Sequence, residues 1–442
     1  MLNIDPITIT ILMFGGLLLG LFLGHSLAFV FGGLAVIFGY LTWGPACFPI
    51  FSSRIVGLMD NFILVAIPMF ILMANLLNSS GVADGLFDAL RYLMGPIRGG
   101  IALAVVIVCT LFAACTGVIA ASIVSMGLLG LPIMLKYGYD KELSCGTICA
   151  GGSLGILIPP SIMLVVMADM TGLSVGKLFV GSLVPGLLLA GLYAIYILII
   201  CWFKPEMGPP LSKEEREKVS TPQILKMCLI SLVPPLILIM GVLGSIFTGV
   251  ATPTEASGVG AFLALLMTIA YGKFSWKMME EVTLATAKTV AMVMMILVGA
   301  TCFTGIFMGS GGGNAVASAI LDMGLGKWGT FAIMMFIIFI LGMFLDWIGI
   351  VYLTFPIFIP IAAQLGFDPL WFVVLIAVNL QSSFLTPPFG YALFFMKGIA
   401  AKDLTTAQIY RSVIPFVAII FCGIMLCVMF PELITTLANM VD

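Results

Sequence analysis

The sequence predicts an all-α polytopic membrane protein with inverted repeats, two re-entrant helical hairpins and two broken transmembrane helices. Of its 442 residues, 62% are hydrophobic and only 9% are charged, whereas a typical soluble domain has about 25% charged residues. Apolar stretches such as 225–247 and 411–430 are long enough to cross ~30 Å of hydrocarbon. A third observation, a segment with two adjacent prolines that occurs once in each half of the chain, predicts the repeats.

The transmembrane spans follow from the apolar runs. Two apolar stretches, 100–135 and 328–363, are interrupted by CTG (115–117) and by LDWIG (345–349). Each stretch is either two short spans or one re-entrant hairpin. The N-terminal run has no basic region before it, which favours a first span over a cleaved signal peptide. The other spans are predicted near 7–24, 26–42, 61–78, 143–168, 178–202, 225–247, 253–272, 289–308, 370–397 and 411–430.

The basic residues of the loops predict the orientation. When the interrupted stretches are treated as hairpins, one side of the membrane receives only Arg54, Lys177 and Lys327. Cytoplasmic loops carry an excess of Lys and Arg, so the other side is expected to be cytoplasmic and both termini to lie outside. If each interrupted stretch instead forms two full spans, every loop stays on the same side of the membrane, so the charges do not distinguish the two arrangements. The cytoplasmic group comprises Arg91, Arg98, Lys136, Lys141, Lys204, Lys213, Arg216, Lys218, Lys226, Lys273, Lys277, Lys288, Lys397, Lys402 and Arg411.

The composition excludes several kinds of enzyme. His25 is the only histidine, so neither a histidine metal site nor a Ser-His-Asp triad is available. The ten cysteines form no C-x-x-C pair. Cys145 and Cys149, which are one helical turn apart, are expected to be buried neutral thiols. We therefore expect a protein that is not an enzyme.

An internal repeat relates the two halves of the chain. LPIMLKYGYDKELSCGTICAGGSLGILIPPS (131–161) resembles IPIAAQLGFDPLWFVVLIAVNLQSSFLTPPF (359–389) at an offset of 228 residues. Five spans lie between corresponding elements, an odd number, which predicts opposite orientations, as in many secondary transporters. The matches are Pro132 with Pro360, Gly138 with Gly366, Asp140 with Asp368, Leu157 with Leu385, Pro159 with Pro387 and Pro160 with Pro388; after a slip of two residues, Pro185 matches Pro415.

The proline pairs break their spans at membrane depth. A broken span leaves free carbonyls at the end of its first half and free amides at the start of its second half. The carbonyl end suits a cation such as Na⁺, and the amide end suits a carboxylate. Small and hydroxyl-bearing residues cluster at both breaks and beyond the CTG turn. Among them we expect Ser122, Ser161, Ser382 and Gly390 to contact a substrate.

Asp346 is a carboxylate at membrane depth, which is costly unless it is paired or functional. The alternatives for Asp346 are a cation ligand, a proton carrier and a residue at a water-filled opening, and all three stay open. The predicted spans contain no Lys or Arg near either break, which favours a small substrate with one or two carboxylates. Glu255, which follows a Thr-Pro pair, is expected to cap a helix.

With these residues assembled, the chain resembles the large membrane subunit of tripartite ATP-independent periplasmic (TRAP) transporters over nearly its whole length. NLQSSFLTPPFGYALFF is closest in pattern to the mannitol/chloroaromatic subgroup, which has members linked to 2-oxo acids or lactate. The stretches that carry the resemblance are IPMFILMANLLNSSGVAD (67–84), RGGIALAVVIVCTLFAACTG (98–117), LPIMLKYGYDKELSCGT (131–147), GGSLGILIPPSI (151–162), LFVGSLVPGLLLAGLY (178–193), ATPTEASGVGAF (251–262), GMFLDWIGI (342–350) and NLQSSFLTPPFG (379–390).

The resemblance implies Na⁺-driven uptake of a small organic acid across a bacterial inner membrane. The fold would be of the elevator type that resembles divalent-anion/Na⁺ symporters. The implied partners are a small four-helix membrane subunit, a periplasmic substrate-binding protein and the lipid bilayer, with no nucleic acid and no cofactor besides Na⁺ as the coupling ion. Both termini would be periplasmic.

The resemblance also implies two Na⁺ sites, each between a hairpin tip and a break. Thr116 and Gly117 belong to the first site. The repeat offset adds residues at the first break that mirror those at the second. The implied ligands are Thr116, Gly117, Gly155, Ile158 and Ser161 in the first half, and Asp346, Gly349, Ser383, Thr386 and Phe389 in the second half.

Two other functions are considered. One is a stand-alone divalent-anion/Na⁺ symporter, which would need no partner, and the other is an intramembrane enzyme, for which the sequence lacks a nucleophile–base or metal-ligand set.

The predicted organisation of the chain has five parts. The parts are N-terminal scaffold helices over 1–60, a first repeat over 61–202, a cytoplasmic loop over 203–224, connecting scaffold helices over 225–288 and a second repeat over 289–442.

Overall fold

The computed structural model describes residues 5–117, 119–217, 219–400 and 404–440, and every regular element in these ranges is helical. Nine helical segments of the described chain are long and apolar enough to cross a membrane. The prediction of an all-helical protein with many spans is therefore confirmed, whereas the re-entrance of the hairpins stays a prediction. Lys218 and Lys402, which entered the orientation argument, lie outside the described residues.

Three helices form the N-terminal part, and local capping sets the start of the first. Asp5 accepts hydrogen bonds from the backbone N–H groups of Ile7 (3.1 Å) and Thr8 (3.3 Å), and Pro6 occupies the first helical position, where its missing N–H costs nothing. The helices are α1 (Pro6–Phe22), α2 (Leu27–Trp43) and α3 (Cys47–Met59).

The first half of the chain continues with a helical hairpin and a broken helix. The hairpin is α6 and α7, which turn over at Gly117, and the broken helix is α8 and α9. Asp140 starts α8 because its carboxylate accepts the N–H of Leu143 at 2.8 Å. Cys145 and Cys149 on α8 are buried, as expected. The helices are α4 (Ala66–Ser80), α5 (Val82–Met94), α6 (Gly100–Thr116), α7 (Ile119–Lys136), α8 (Lys141–Ser153), α9 (Ile162–Thr171) and α10 (Val175–Phe203).

Two of the connecting helices, those that start at Thr221 and Pro253, begin with reciprocal caps. Glu255 accepts the N–H of Thr252 at 2.8 Å, while its own N–H donates to the Thr252 hydroxyl at 3.3 Å. This capping box confirms the role predicted for Glu255. The helices are α11 (Lys213–Glu217), α12 (Thr221–Phe247) and α13 (Pro253–Ala270).

The second half repeats the element order of the first. Its first helix, α14, begins at Trp276 rather than near residue 289, because Ser275 caps it by accepting the N–H of Met278 at 3.1 Å. The hairpin is α16 and α17, and the broken helix is α18 and α19. The helices are α14 (Trp276–Gly309), α15 (Gly312–Leu321), α16 (Gly326–Gly342), α17 (Trp347–Gln364), α18 (Pro369–Phe384), α19 (Tyr391–Ala400), α20 (Thr406–Met429) and α21 (Glu432–Ala438).

The repeat extends further than the sequence analysis found. Each half ends its last long helix with a Pro-Glu pair, in KPEM (204–207) and in FPEL (430–433). The residue before each pair has nearly the same backbone conformation, with φ −127° and ψ 81° at Lys204 and φ −125° and ψ 76° at Phe430. A short helical turn follows in both places. These matching ends were too short to register as a sequence match.

Candidate functional site

The two proline pairs interrupt their helices as the sequence predicts. After α8, a 3-10 turn (Leu154–Ile156) and the prolines separate it from α9, and a similar irregular segment separates α18 from α19. Both Pro–Pro peptide bonds are cis. No backbone amide in the described ranges donates to the carbonyls of Ile158 and Pro159, or to those of Thr386 and Pro387. The breaks therefore offer carbonyl oxygens that the helices do not use.

The first hairpin tip contacts the first break. Gly117 has φ +61°, and a β-carbon at this position would lie 3.0 Å from the carbonyl oxygen of Pro160 and 3.4 Å from the Cα of Ser161. The Ser161 hydroxyl donates to the carbonyl of Ile156 within the break. The Thr116 and Ser122 hydroxyls lie 3.4 Å apart behind the tip, and both residues are buried. Three predicted ligands, Thr116, Gly117 and Ser161, are thus close neighbours.

The second hairpin is joined to the second break by hydrogen bonds. The N–H of Phe389 donates to the carbonyl of Met343 at 3.3 Å, and the Ser383 hydroxyl donates to the carbonyl of Phe339 at 3.3 Å. One turn earlier, the amide of Asn379 donates to the carbonyl of Met335 at 2.8 Å. The hairpin and the first half of the broken helix therefore form one connected body.

Asp346 begins the second arm of this hairpin. Its carboxylate accepts the N–H of Trp347 at 2.8 Å and so caps α17. It forms no ion pair with any residue of the described ranges. Asp346 is also one of the residues that line a cavity.

A cavity of about 140 Å³ lies between the two hairpin tips and the two breaks. The first residue of each of four helices lines it: Ile119 of α7, Ile162 of α9, Trp347 of α17 and Tyr391 of α19. Helix N-termini carry partial positive charge and unpaired amides, so their convergence suits a small anion. The other lining residues are Ile71, Gly117, Ala120, Ile156, Thr289, Met292, Val293, Asp346, Ile348 and Phe395.

Of the residues predicted as cation ligands, Gly117 and Asp346 line this cavity. Gly155 and Ile158 are buried within the first break. Gly349 faces α2 instead of a break, because a β-carbon there would lie 3.2 Å from the ring of Phe31 on that helix.

The remaining predicted ligands lie at the second break. The Thr386 hydroxyl donates to the carbonyl of Ser382 at 2.7 Å. Phe389 is 44% exposed, and its ring centroid is 6.3 Å from those of both Phe22 and Phe344. The residues predicted to contact a substrate, Ser122, Ser161, Ser382 and Gly390, are not among those that line the cavity. All these roles stay predictions.

Sequence reasoning missed the apolar residues of the cavity and one basic neighbour. Trp347 directly follows the second hairpin tip and Tyr391 directly follows the second break. These positions in the sequence could have indicated that both residues line the cavity. Because α14 is longer than predicted, Lys288 lies inside it, one helical turn before Met292 and therefore on the same face. Both side chains are exposed, so a positive charge flanks the cavity.

Comparison with known families gives one match over most of the chain. The family model described as the DctM component of the tripartite ATP-independent periplasmic transporter matches residues 10–433.

Three curated relatives have similar lengths. The chain is 31% identical over 408 residues to the C4-dicarboxylate TRAP transporter large permease protein DctM of Pseudomonas aeruginosa, covering 92% of this chain and 93% of the relative. It is 29% identical over 419 residues to the sialic acid TRAP transporter large permease protein SiaM of Vibrio cholerae, covering 95% of each. It is 27% identical over 423 residues to the 2,3-diketo-L-gulonate large permease protein YiaN of Escherichia coli, covering 94% and 97%.

Two solved transporters share the fold. The Alcanivorax borkumensis YdaH transporter superposes with a TM-score of 0.63 at 15% identity, over 94% of this chain and 99% of the other. Neisseria gonorrhoeae MtrF superposes with a TM-score of 0.58 at 15% identity, over 88% and 84%. These similarities concern the fold alone.

Proposed function

The chain belongs to the DctM family of tripartite ATP-independent periplasmic transporters, and from this premise we propose that it is the large permease subunit of a Na⁺-coupled importer of a small organic acid. Members of this family are transporter permeases and not enzymes. The chain is accordingly a multi-pass membrane protein.

The observation that carries the proposal is the cavity between the hairpin tips. Four helix N-termini meet there, two from each half of the chain. A carboxylate needs such donors because the cavity has no Lys or Arg among its described lining residues. The lining side chains are mostly apolar, and a low local dielectric strengthens each N–H···O⁻ interaction. The site thus fits a small carboxylate.

Na⁺ coupling is supported by the unused carbonyls at both breaks. Na⁺ is a hard cation that prefers oxygen ligands, and the ends of α8 and α18 carry the partial negative charge of helix C-termini. The first site would take carbonyl oxygens near Gly117, Gly155, Ile158 and Ser161, with Thr116 close by. The second site would use Ser383, Thr386 and Phe389, with Asp346 as a further oxygen donor.

The moving part of the transporter would be the two hairpins with the two broken helices. Tip and break are in contact in each half, through Gly117 in the first and through the Phe389–Met343 hydrogen bond in the second. We propose that these elements shift together, in an elevator-type motion, against a scaffold that includes α1, α2 and α14. Re-entrant hairpins with their tips at mid-depth suit such a motion.

The proposed partners are those implied by the family. A small four-helix membrane subunit would dock on the scaffold helices, and a periplasmic binding protein would deliver the acid to the outer face. The protein would lie in the bacterial inner membrane with both termini periplasmic.

The test is uptake by proteoliposomes that contain this chain, the small subunit and the binding protein. We expect accumulation of a labelled acid only with an inward Na⁺ gradient, and an inward K⁺ gradient serves as the control. Uptake that is indifferent to Na⁺ would contradict the coupling. Full uptake by the chain alone would instead favour a stand-alone symporter.

A further inference from the structure

Another pocket, of about 120 Å³, lies where the second break and α19 meet the start of α20. It shares no lining residue with the cavity between the hairpin tips. Its volume is well above the ~15 Å³ that a single water molecule needs, so a phosphate group fits. Lys397, Thr406 and Tyr410 supply its polar groups, and its apolar lining residues are Pro388, Phe389, Leu393, Phe394 and Ile409.

The polar groups of this pocket have no partner in the part of the chain that the structure describes. Lys397 is exposed in the last turn of α19 and forms no ion pair there. The hydroxyls of Thr406 and Tyr410 make no hydrogen bond with any described residue. No described lining residue is acidic. Lys402 and Asp403, which have opposite charges, lie outside the described residues. The pocket thus offers one positive charge and two hydroxyl donors to an anion.

An exposed apolar face of α20 continues from the pocket. Its members recur every three or four residues, so they lie on one side of the helix, and they extend over ~22 Å from Tyr410. This length exceeds the ~15 Å of hydrocarbon in one leaflet of a bilayer. An acyl chain can therefore lie against this face over its whole length. After Tyr410, the face consists of the exposed residues Ile414, Ala418, Phe421 and Met425.

Position and charge indicate which kind of lipid fits. Lys397 and Arg411 belong to the basic residues that predict the cytoplasmic side, and tyrosines such as Tyr410 are enriched at membrane interfaces. Arg411 is exposed and follows Tyr410 directly, which adds a second positive charge. Basic pockets between transmembrane helices on the cytoplasmic side suit anionic headgroups. A zwitterionic headgroup would bring its own cation toward the same charges.

We propose that this pocket binds an anionic phospholipid of the membrane. The headgroup phosphate lies at Lys397, Thr406 and Tyr410, and one acyl chain lies along the exposed face of α20. Because Pro388 and Phe389 also line the pocket, the bound lipid contacts the second break as well. The inference requires only that the chain spans a membrane, and it does not depend on the transported substrate.

The experiment counts lipids on the intact complex. The full chain with its small subunit is titrated in detergent with phosphatidylglycerol and with phosphatidylcholine of the same acyl chains, and native mass spectrometry measures the affinity of the first lipid bound. We expect phosphatidylglycerol to bind at least about fivefold tighter. Equal affinities would show that the headgroup is not recognised and would overturn the proposal. Excess inorganic phosphate is expected to leave the lipid in place; if it displaces the lipid, the ligand of the pocket is free phosphate and not a lipid.

A matched pair of variants tests where the headgroup lies. Lys397→Gln is expected to weaken binding of phosphatidylglycerol about fivefold and so to remove most of the preference. Lys226→Gln is the control, because Lys226 is also exposed and also predicted to be cytoplasmic, but lies near the start of α12 and outside the pocket. Equal losses in both variants would mean that the lipid responds to the general surface charge, and no loss in either would mean that it binds elsewhere; both results would overturn the proposal.

Tyr410→Phe tests the contact with the phosphate itself. It keeps the ring and removes the hydroxyl, so we expect both lipids, which share the phosphate, to bind about three- to tenfold more weakly. Binding of both lipids at unchanged affinity would overturn the placement of the phosphate at this hydroxyl.

Discussion

Gly117 at the first hairpin tip and Pro160 in the first break lie in contact, and the space between them has no room for a side chain. A β-carbon at Gly117 would lie 3.0 Å from the Pro160 carbonyl oxygen, and the backbone there has φ +61°. The tip and the break are adjacent although they are 43 residues apart in the sequence. Any Na⁺ ligand that either element supplies is therefore positioned by the other.

The first prediction follows from this contact. Gly117→Ala adds ~1 kcal/mol of left-handed backbone strain and also forces the tip away from Pro160, so we expect the apparent Na⁺ affinity to fall about tenfold or more. The measurement is the Na⁺ dependence of uptake. Gly172→Ala is the control, because Gly172 has a similar φ of +69° but nothing within 4 Å of an added β-carbon. Equal effects of the two variants would show that strain alone acts.

The second prediction concerns the hydroxyl of Thr386. It donates to the carbonyl of Ser382 at 2.7 Å, which leaves its lone pairs free to bind a cation. Thr386→Val keeps the shape and removes the oxygen, so we expect weaker Na⁺ dependence with at most ~1 kcal/mol lost in stability. Thr110→Val is the matched control, since Thr110 makes the same 2.7 Å bond within α6, to Val106. An unchanged Na⁺ dependence would remove Thr386 from the site.

The sequence predicts the global arrangement well because global features leave strong patterns. Apolar runs mark the long helices, and the paired prolines mark both breaks. It predicts the cavity poorly because Ile71, Met292 and Phe395 come from separate helices and have the same apolar character as core residues. Gly349 shows the other limit: it follows the hairpin tip in the sequence, yet helical geometry turns it toward Phe31 on α2. Which neighbouring helix a residue faces depends on tertiary packing.

The third prediction uses the cap at α17. Asp346→Asn keeps an acceptor for the N–H of Trp347 and removes the negative charge from the cavity. We expect the apparent Na⁺ affinity to fall several-fold, because a neutral amide oxygen attracts Na⁺ less strongly than a carboxylate does. The measurement is the Na⁺ dependence of uptake.

Asp368→Asn is the control for this prediction. Asp368 also caps its helix, α18, by accepting a backbone N–H at 2.8 Å, in this case that of Trp371 three residues later, but it does not line the cavity. Its variant should lose a little stability and leave the Na⁺ dependence as it was. If Asp346→Asn also leaves the Na⁺ dependence unchanged, Asp346 is not a Na⁺ ligand.

The fourth prediction concerns Lys288, which flanks the cavity one helical turn from Met292, a lining residue that is 57% exposed. A positive charge at the mouth raises the local concentration of anions. Lys288→Gln is therefore expected to weaken binding of the acid about two- to threefold at low salt, and the difference should vanish near 1 M salt, where the screening length is ~3 Å. Lys277→Gln is the control, because Lys277 lies three turns earlier on the same face of α14, about 16 Å away. Equal losses in both variants would mean that the charge acts on the whole helix and not on the mouth of the cavity.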